Sequence, residues 1–379
     1  MTSRERVRLA IDHKEPDRIP IDLWGSDSRM NSNFYLRVIK ELGWDEPGPC
    51  IRPSSTSAYE DYRLSDLIGS DFRHINIGSP DGFKSYKDSD GNTIDEWGVG
   101  RKLIGKYPSF SLHPFADMRT EDIETHDWPD MSDPGRIRGL EEQAREWYET
   151  TDFAITATTA TSGTIFEVCQ YLCGIEDFFT CLCGDPEYAD ALIDKVTDLL
   201  IELNVLYARA VGPYVEWIEF ASDFGTQSGP VISPAFYSRF FLKPYKRLYD
   251  AVKEAAPNVK IFLHCCGGVR PLIPLFIESG VDVLSALQPL AAGMGDAAGL
   301  KADFGSELIF HGGIDIQRAI HGTLDELYKE CKTRIQAYAP GGGYVLSPSN
   351  HFMDDVKPEN FFKMYEFGRE LGKYPISLD

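Results

Sequence analysis

Short apolar runs alternate with longer amphipathic segments along most of the 379-residue chain. The runs have the length of buried strands, and the segments between them repeat apolar residues at the spacing of one helix face. Strands that alternate with helices form parallel βαβ units, so eight such runs predict an α/β protein folded as a (β/α)8 TIM barrel. An open doubly wound sheet is the alternative, but no Gly-x-Gly-x-x-Gly motif follows an early run. The predicted strands are residues 19–24, 72–77, 153–159, 216–221, 259–263, 281–287, 307–310 and 343–346.

Two segments lie outside this alternation, and we expect both within a single barrel domain that spans residues 1–379. Residues 3–13 predict an amphipathic helix that forms an N-terminal extension. The sequence Asp88-Ser89-Asp90-Gly91-Asn92 is typical of a turn and separates two strand-like stretches. It predicts an inserted β-hairpin within a loop-rich region at residues 81–134.

The chain is strongly acidic, with 59 Asp and Glu residues against 38 Lys and Arg residues and a formal net charge of -21. This charge argues against nucleic acid and anionic membrane surfaces as partners, because both repel an acidic protein. No run is long and apolar enough to span a bilayer, and the first residues are amphipathic, so we expect a cytoplasmic protein. In that compartment the eight cysteines are expected to be reduced.

Candidate metal ligands follow the apolar run at residues 259–263. The next residues are His264, Cys265 and Cys266, and a pair of glycines then turns the chain. In an extended chain the side chains of His264 and Cys266 point the same way, and imidazole plus thiolate suits zinc. The alternative is that Cys266 is a small buried hydrophobic residue and His264 a hydrogen-bonded core residue. A zinc site also needs a third ligand from elsewhere in the chain.

Polar residues follow most of the predicted strands, and in barrels of this kind the chemistry lies where the strands end. His351, after the last predicted strand, is the predicted third zinc ligand and a candidate catalytic residue. Asp223 could orient a liganding histidine or act as a base, which makes it the second candidate catalytic residue. Each of these residues could instead cap a loop or tie down a turn. The candidate substrate-binding residues are Asp22, Trp24, Gln227, Gln288, His311 and Asn350.

Several blocks of the sequence, in one order, resemble the uroporphyrinogen decarboxylase superfamily, and more closely its corrinoid-linked methyltransferase branch. The resemblance covers nearly the whole chain and implies a (β/α)8 barrel. The blocks are Arg18-Ile19-Pro20-Ile21-Asp22, Asp95-Glu96-Trp97-Gly98, Asp223-Phe224-Gly225-Thr226-Gln227, Ile232-Ser233-Pro234, His264-Cys265-Cys266-Gly267, Gln288-Pro289, Gly293-Met294, Gly312-Gly313-Ile314-Asp315, Gly341-Gly342-Gly343-Tyr344 and Pro358-Glu359-Asn360.

The branches of this superfamily differ in the residues that they require. The resemblance implies that a decarboxylase carries two arginines just after the first strand, which hold the substrate carboxylates. Residues 24–31 of this chain contain a single arginine, Arg29. The resemblance to the methyltransferase branch implies a zinc site with a His-x-Cys motif on one strand. His264 and Cys266 match this motif. The further ligand near the last strand is a cysteine in the methylcobalamin:coenzyme M enzymes, and residues 348–351 contain none. His351 matches a histidine of the decarboxylases.

The resemblance therefore implies a zinc-dependent methyltransferase that moves a methyl group from a small O- or N-methylated compound to cob(I)alamin on a separate corrinoid protein. A partner is implied because the chain lacks the Asp-x-His-x-x-Gly signature that holds a corrinoid. The alternatives are a metal-independent, uroporphyrinogen decarboxylase-like lyase, a methylcobalamin:thiol methyltransferase, and a binding protein without activity. A homodimer is compatible with the resemblance.

Overall fold

The computed structural model describes residues 1–25, 28–45, 56–105, 107–116 and 120–378. Its central element is a parallel sheet of seven strands in which each strand pairs with the next along the chain. Each strand falls within, or overlaps, one of the predicted apolar runs. The strands are β1 (Phe72–Ile75), β2 (Ala154–Ala157), β3 (Trp217–Ala221), β4 (Lys260–His264), β5 (Val283–Ala286), β6 (Ile309–Ile314) and β7 (Tyr344–Pro348).

The first predicted strand, at residues 19–24, is not a strand in the structure. Only Ile21 pairs, in an isolated parallel bridge to Leu346 of β7. On its other side the carbonyl oxygen of Ile21 accepts a hydrogen bond from the Asp71 amide, just before β1. Pro20 has no amide hydrogen to contribute to a ladder. The segment thus lies between the two edge strands but adds no eighth strand to the sheet.

Helices alternate with the strands, as the amphipathic segments predict. Short 3₁₀ helices occur at Pro134–Arg136, Arg270–Leu272 and Ala319–His321. The α-helices are α1 (Ser3–Ile11), α2 (Ser32–Glu41), α3 (Tyr62–Ile68), α4 (Thr120–Thr125), α5 (Leu140–Thr150), α6 (Ile165–Cys173), α7 (Ile175–Gly184), α8 (Pro186–Val211), α9 (Pro234–Phe240), α10 (Leu242–Ala255), α11 (Ile273–Ser279), α12 (Ala297–Phe304), α13 (Leu324–Tyr338) and α14 (Pro358–Leu371). Among the described residues, none of these helices is both long and apolar enough to cross a bilayer.

The first inward-facing residues of the strands form an apolar layer. Phe72 on one edge strand and Val345 on the other belong to the same buried cluster, which requires the sheet to be curled. Helix α1 adds Val7 and Ile11 to this cluster and so covers the amino-terminal end of the sheet. The other members of the layer are Ala154, Trp217, Phe262, Val283 and Ile309.

Two residues further along the strands, the inward-facing layer becomes polar. Asp22 joins two histidines there, with its carboxylate oxygens 2.9 Å from His74 Nε2 and 2.9 Å from His311 Nε2. The far nitrogens of the two rings lie 2.7 Å from Thr156 Oγ1 and 3.2 Å from Ser285 Oγ. All five residues are fully or almost fully buried. The histidines hold the pKa of Asp22 well below its usual range despite the cost of burial, and the Asp22 carboxylate raises the pKa of His74.

The region at residues 81–134 contains more structure than the single predicted hairpin. Four antiparallel strands, Tyr86–Lys87, Thr93–Ile94, Gly100–Ile104 and Tyr107–Leu112, pair in sequence order to form a second sheet. The predicted turn joins the first two, and its Asp88 carboxylate accepts hydrogen bonds from the amides of Asp90 and Asn92. A short two-stranded pair, Gly225–Thr226 with Gly229–Pro230, follows β3.

Replacing Asp22 by asparagine should destabilise the protein by about 3 kcal/mol, because the change leaves His74 buried beside a neutral partner. Urea unfolding measures this loss.

The stability of the wild-type protein should also depend on pH. It should fall on acidification below pH about 4, because a lowered carboxyl pKa contributes stability that protonation removes. It should also fall as the pH rises through the raised pKa of His74. The D22N variant should show a flatter profile at both ends. Asp177→Asn, an exposed control, should behave as wild type, and equal stability of D22N would contradict this role for the buried pair.

Candidate functional site

The turns that follow β3 and β4 bring three potential metal ligands together. His264 is the last residue of β4 and is paired in register with Ala221 at the end of β3, so the two turns begin at the same level. His264 Nε2 lies 3.2 Å from Cys266 Sγ and 3.9 Å from an Asp223 carboxylate oxygen. That same oxygen accepts a hydrogen bond of 2.8 Å from the Cys266 amide. The predicted pairing of His264 with Cys266 is thus present, and Asp223 joins it.

Two glycines allow these turns to approach so closely. A Cβ atom on Gly225 would lie 2.3 Å from the Cys266 carbonyl oxygen. A Cβ atom on Gly267 would lie 2.5 Å from the carbonyl carbon of Gly225, and Gly267 has a φ of +86° that side chains disfavour. Because backbone packs directly on backbone here, Asp223 and Cys266 are held next to each other.

The geometry of this group fits a tetrahedral zinc ion. One ligand atom from each of Asp223, His264 and Cys266 lies within 4.8 Å of the other two, and no other such cluster occurs among the described residues. Zinc–nitrogen and zinc–sulfur bonds of about 2.1 and 2.3 Å at a tetrahedral angle separate the two atoms by about 3.5 Å, close to the distance between His264 and Cys266. The His264 side chain is buried, whereas 56% of the Asp223 side chain is exposed. A ligand could therefore reach the group from the Asp223 side.

Asn350, one residue before His351, contacts the thiol. The Asn350 side-chain amide donates a 3.1 Å hydrogen bond to Cys266 Sγ, and its oxygen accepts one of 2.7 Å from the His351 backbone amide. The His351 ring faces another part of the chain, with Nδ1 3.5 Å from Ser57 Oγ. Within the described part of the chain, the group of possible metal ligands that the structure brings together consists of Asp223, His264 and Cys266, so His351 as third ligand stays a prediction.

A buried carboxyl group, Glu167 on α6, lies directly behind Asp223. One Glu167 oxygen accepts a 2.5 Å hydrogen bond from the Asp223 amide, and the other accepts from Ser222 Oγ at 2.9 Å and from the Thr164 amide at 3.1 Å. Burial raises the pKa of Glu167 to about 7, and the Asp223 carboxylate adds to the increase. The sequence gives only one signal for this residue: Thr164-x-x-Glu167 is a helix capping box, which indicates a helix start rather than a functional group.

Three of the predicted substrate contacts lie in the buried interior of the protein. Asp22 and His311 belong to the buried polar layer and are fully buried, and their contact with a substrate stays a prediction. Trp24 is also fully buried, with an unusual φ of +86°, and its Nε1 has no hydrogen-bond partner within the described residues.

The two predicted glutamines lie on the turns themselves. Gln288 Oε1 accepts a 2.9 Å hydrogen bond from the Gly267 amide and thereby fixes the turn after β4. Gln227 has an exposed side chain, and its backbone oxygen accepts a 2.9 Å hydrogen bond from the Ala292 amide. The Gln227 side chain is thus accessible to a ligand, whereas the side-chain oxygen of Gln288 is already hydrogen-bonded to the backbone of the β4 turn.

A cavity of about 690 Å³ lies where β1 and β2 end, beneath the inserted sheet. Its walls include Trp97 from the insertion and Tyr171 from α6, whose ring stacks on Phe110 at a centroid distance of 4.3 Å. Both arginines of the lining are paired with lining carboxylates. These ion pairs are Arg101 with Asp95 and Arg136 with Glu96.

Helix α6 connects the cavity to the metal group. Val168 and Tyr171 line the cavity, while Glu167 on the same helix holds the Asp223 amide. Arg101, Glu167 and Arg136 carry no functional signal in the sequence, because their partners lie 6 to 56 residues away along the chain.

Comparisons with known proteins agree with this fold. The family model described as uroporphyrinogen decarboxylase (URO-D) matches residues 105–371. A methylated-thiol--coenzyme M methyltransferase of Methanosarcina mazei is 32% identical over 162 residues, which are 42% of this chain and 40% of the relative. A uroporphyrinogen decarboxylase of Pseudoalteromonas translucida is 25% identical over 190 residues, 47% of each chain. This chain thus spans only about two fifths to one half of these curated relatives.

The solved structure of a methyltransferase from Methanosarcina mazei superposes with a TM-score of 0.68. It covers 98% of this chain and 99% of that one at 18% sequence identity. At this identity the likeness concerns the fold, which is the mixed α/β architecture described above. Since the family model matches well over half of the residues, the chain belongs to the uroporphyrinogen decarboxylase family.

Proposed function

We propose that this protein is a zinc-dependent methyltransferase that moves a methyl group from a small O- or N-methylated compound to cob(I)alamin on a separate corrinoid protein. The observation that carries the proposal is the cluster of Asp223, His264 and Cys266 at the carboxyl ends of β3 and β4. In barrels of this type, the carboxyl ends of the strands are where reactions take place. The likeness to a methyltransferase from Methanosarcina mazei supports the same class of reaction.

Zinc would be held by His264 Nε2, Cys266 Sγ and a carboxylate oxygen of Asp223. When bound, zinc would supply Lewis acidity to the atom that loses its methyl group. The Asn350 amide stabilises the thiolate form of Cys266 by donating a hydrogen bond to its sulfur. Gln288 keeps the ligand turn in place through the Gly267 amide. The exposure of Asp223 leaves one side of the group open for the methyl donor.

The bonding changes of this reaction balance with water as the one further reactant, since water supplies a proton. A corrinoid partner would supply the electron pair that bonds to the methyl carbon as the C–O or C–N bond of the donor breaks. The pair from the broken bond stays on the donor atom, which then takes up a proton. The corrinoid protein must therefore reach the exposed side of the site.

The charge of the cavity argues against a porphyrinogen as substrate. Both arginines in its wall are already paired with Asp95 and Glu96, and a third carboxylate, Glu60, is paired with Arg29. A tetrapyrrole with many carboxylates needs unpaired cations, whereas this lining has an excess of anionic groups. Decarboxylation is therefore the weaker candidate.

A methylated thiol is the second candidate donor. The relative from Methanosarcina mazei that carries this activity in its name is 32% identical over the matched residues. A zinc site with one thiolate ligand also accepts a sulfur atom readily, since zinc is borderline soft. This alternative uses the same metal and the same residues.

Purified wild-type protein should contain about one zinc per chain, and His264→Ala and Cys266→Ala should each abolish it, because either change removes a ligand. Elemental analysis after dialysis measures the content. The matched controls are Cys183→Ala, which removes an exposed free thiol, and His321→Ala, which removes a histidine away from the cluster. Unchanged zinc in both ligand variants would refute the site.

The third ligand can be tested with one pair of variants. Replacing a residue that only hydrogen-bonds to a metal ligand typically weakens metal binding roughly 10- to 100-fold. Asp223→Asn should weaken zinc binding by more than this, because it replaces a ligand, whereas His351→Ala should leave the affinity near that of wild type. Competition with a chromophoric chelator measures both dissociation constants. The opposite ranking would restore His351 as the ligand.

Transfer itself can be followed optically, because methylation of cob(I)alamin changes its absorption spectrum. Zinc-loaded wild-type protein, a reduced corrinoid protein and a panel of O-methyl, N-methyl and S-methyl donors should give methylation with at least one class. The Cys266→Ala variant serves as the inactive control. Release of carbon dioxide from a porphyrinogen by zinc-free protein would instead favour the decarboxylase reading.

A further inference from the structure

Among the described residues, few contacts orient the Asp223 side chain. More than half of the side chain is exposed, and its carboxylate accepts a hydrogen bond from the Cys266 amide. The direction in which its carboxylate points therefore depends on residues 222–224. Gly225 follows at once and adds no side chain to restrain the turn.

Glu167 restrains this backbone from behind. Its two oxygens accept hydrogen bonds from the Asp223 amide and from Ser222 Oγ, so one buried carboxylate binds two consecutive residues of the turn. The same carboxylate accepts from the Thr164 amide at the start of α6, which anchors it to a helix. A buried acceptor with three donors at 2.5 to 3.1 Å has little freedom to move.

We propose that Glu167 is a positioning residue that holds Asp223 so that its carboxylate faces His264 and Cys266. The inference rests on the proposed function, because it takes those three residues as the zinc ligands. Glu167 itself stays outside the ligand group: its contacts with the site run through the amide of Asp223 and the hydroxyl of Ser222.

The helix that carries Glu167 also forms part of the cavity wall. Val168 and Tyr171 line the cavity one and four residues further along α6. A donor molecule that presses on this wall would therefore act on the same helix that fixes Asp223. One helix thus contributes both to the cavity wall and to the hydrogen bonds that hold the Asp223 turn.

The competing explanation is that Glu167 only caps α6. The chain offers a matched control, because Glu326 has the same capping role at the start of α13, where it accepts hydrogen bonds from the amide and hydroxyl of Thr323. Glu326 lies outside the metal group and the cavity lining. Glu326 is exposed whereas Glu167 is buried, so the two variants are compared by zinc binding, which a change that only weakens a helix cap should leave unaltered at both positions.

The test replaces each glutamate by glutamine in the full-length protein. Glutamine offers one acceptor oxygen, so at position 167 it cannot serve the amides of both Thr164 and Asp223. We expect Glu167→Gln to raise the zinc dissociation constant about 10- to 100-fold, as is typical of residues that orient a metal ligand. Glu326→Gln should leave it unchanged. The visible spectrum of the cobalt(II)-substituted protein should shift for E167Q alone, since it reports the coordination geometry.

A double-mutant cycle shows whether Glu167 acts through Asp223. In an Asp223→Asn background, E167Q should change the zinc dissociation constant by less than about threefold, because the ligand that it positions is already lost. Should E167Q fail to fold, Glu167→Asp replaces it, since the shorter side chain cannot reach both α6 and the turn.

The outcomes separate the two proposals. Wild-type zinc affinity in E167Q, or an equal loss in the D223N background, would overturn the positioning role while leaving the zinc site intact. Equal losses in E167Q and E326Q would also overturn it, because they would indicate a general effect of helix capping. Wild-type protein that binds no zinc at all would refute the proposed function, and with it this inference.

Discussion

Direct packing of backbone on backbone between the turns after β3 and β4 is the constraint on which the site depends. Gly225 and Gly267 meet where any side chain would come within 2.3 to 2.5 Å of the opposite backbone. The contact places the Cys266 amide on the Asp223 carboxylate and sets the thiol beside the imidazole of His264. Hydrogen bonds from outside then fix the pair of turns: Gln288 holds the one, and Glu167 holds the other.

The interior of the sheet changes from apolar to polar along the strands, towards the turns that carry the site. The layer nearest the amino ends is apolar and is covered by Val7 and Ile11 of α1. The next layer holds Asp22 between two histidines, fully buried and paired. His264 lies two residues after Phe262 of the apolar layer, so it belongs to the polar level of the interior and not to the surface. The candidate metal ligand His264 thus shares the level of the interior on which Asp22 pairs with the two histidines.

Periodicity in the sequence predicted much of this structure, but not the depth at which each residue lies. Seven of the eight apolar runs contain strands, and the two-residue spacing correctly placed His264 and Cys266 on one side. The run at residues 19–24 failed because Pro20 lacks a donor and only Ile21 pairs. Asp22 and His311 were predicted to meet a substrate, yet both are buried. The level that a strand residue occupies depends on the stagger between neighbouring strands, which local sequence does not specify.

The same limit explains why Asp223 and Glu167 were harder to interpret than His264. Contacts between turns of different strands depend on how closely the backbones approach, and only the glycines at 225 and 267 hint at that distance. The cavity is harder still to predict, since Trp97 and Tyr171 line one space only after the insertion folds over the ends of β1 and β2. Sequence therefore predicts the ligands that lie on one strand better than those that two strands share.

The donor set itself bears on the type of methyl donor. Thiolate is a soft ligand that passes much of its charge to zinc, whereas carboxylate is a harder one. Under the proposed function, Asp223 in the third place and an amide hydrogen bond from Asn350 to the single thiolate would both limit that transfer of charge. A zinc ion held in this way keeps more of its Lewis acidity than one with two thiolates. Greater Lewis acidity suits oxygen or nitrogen as the leaving atom, because these atoms leave as stronger bases than sulfur does and need more stabilisation.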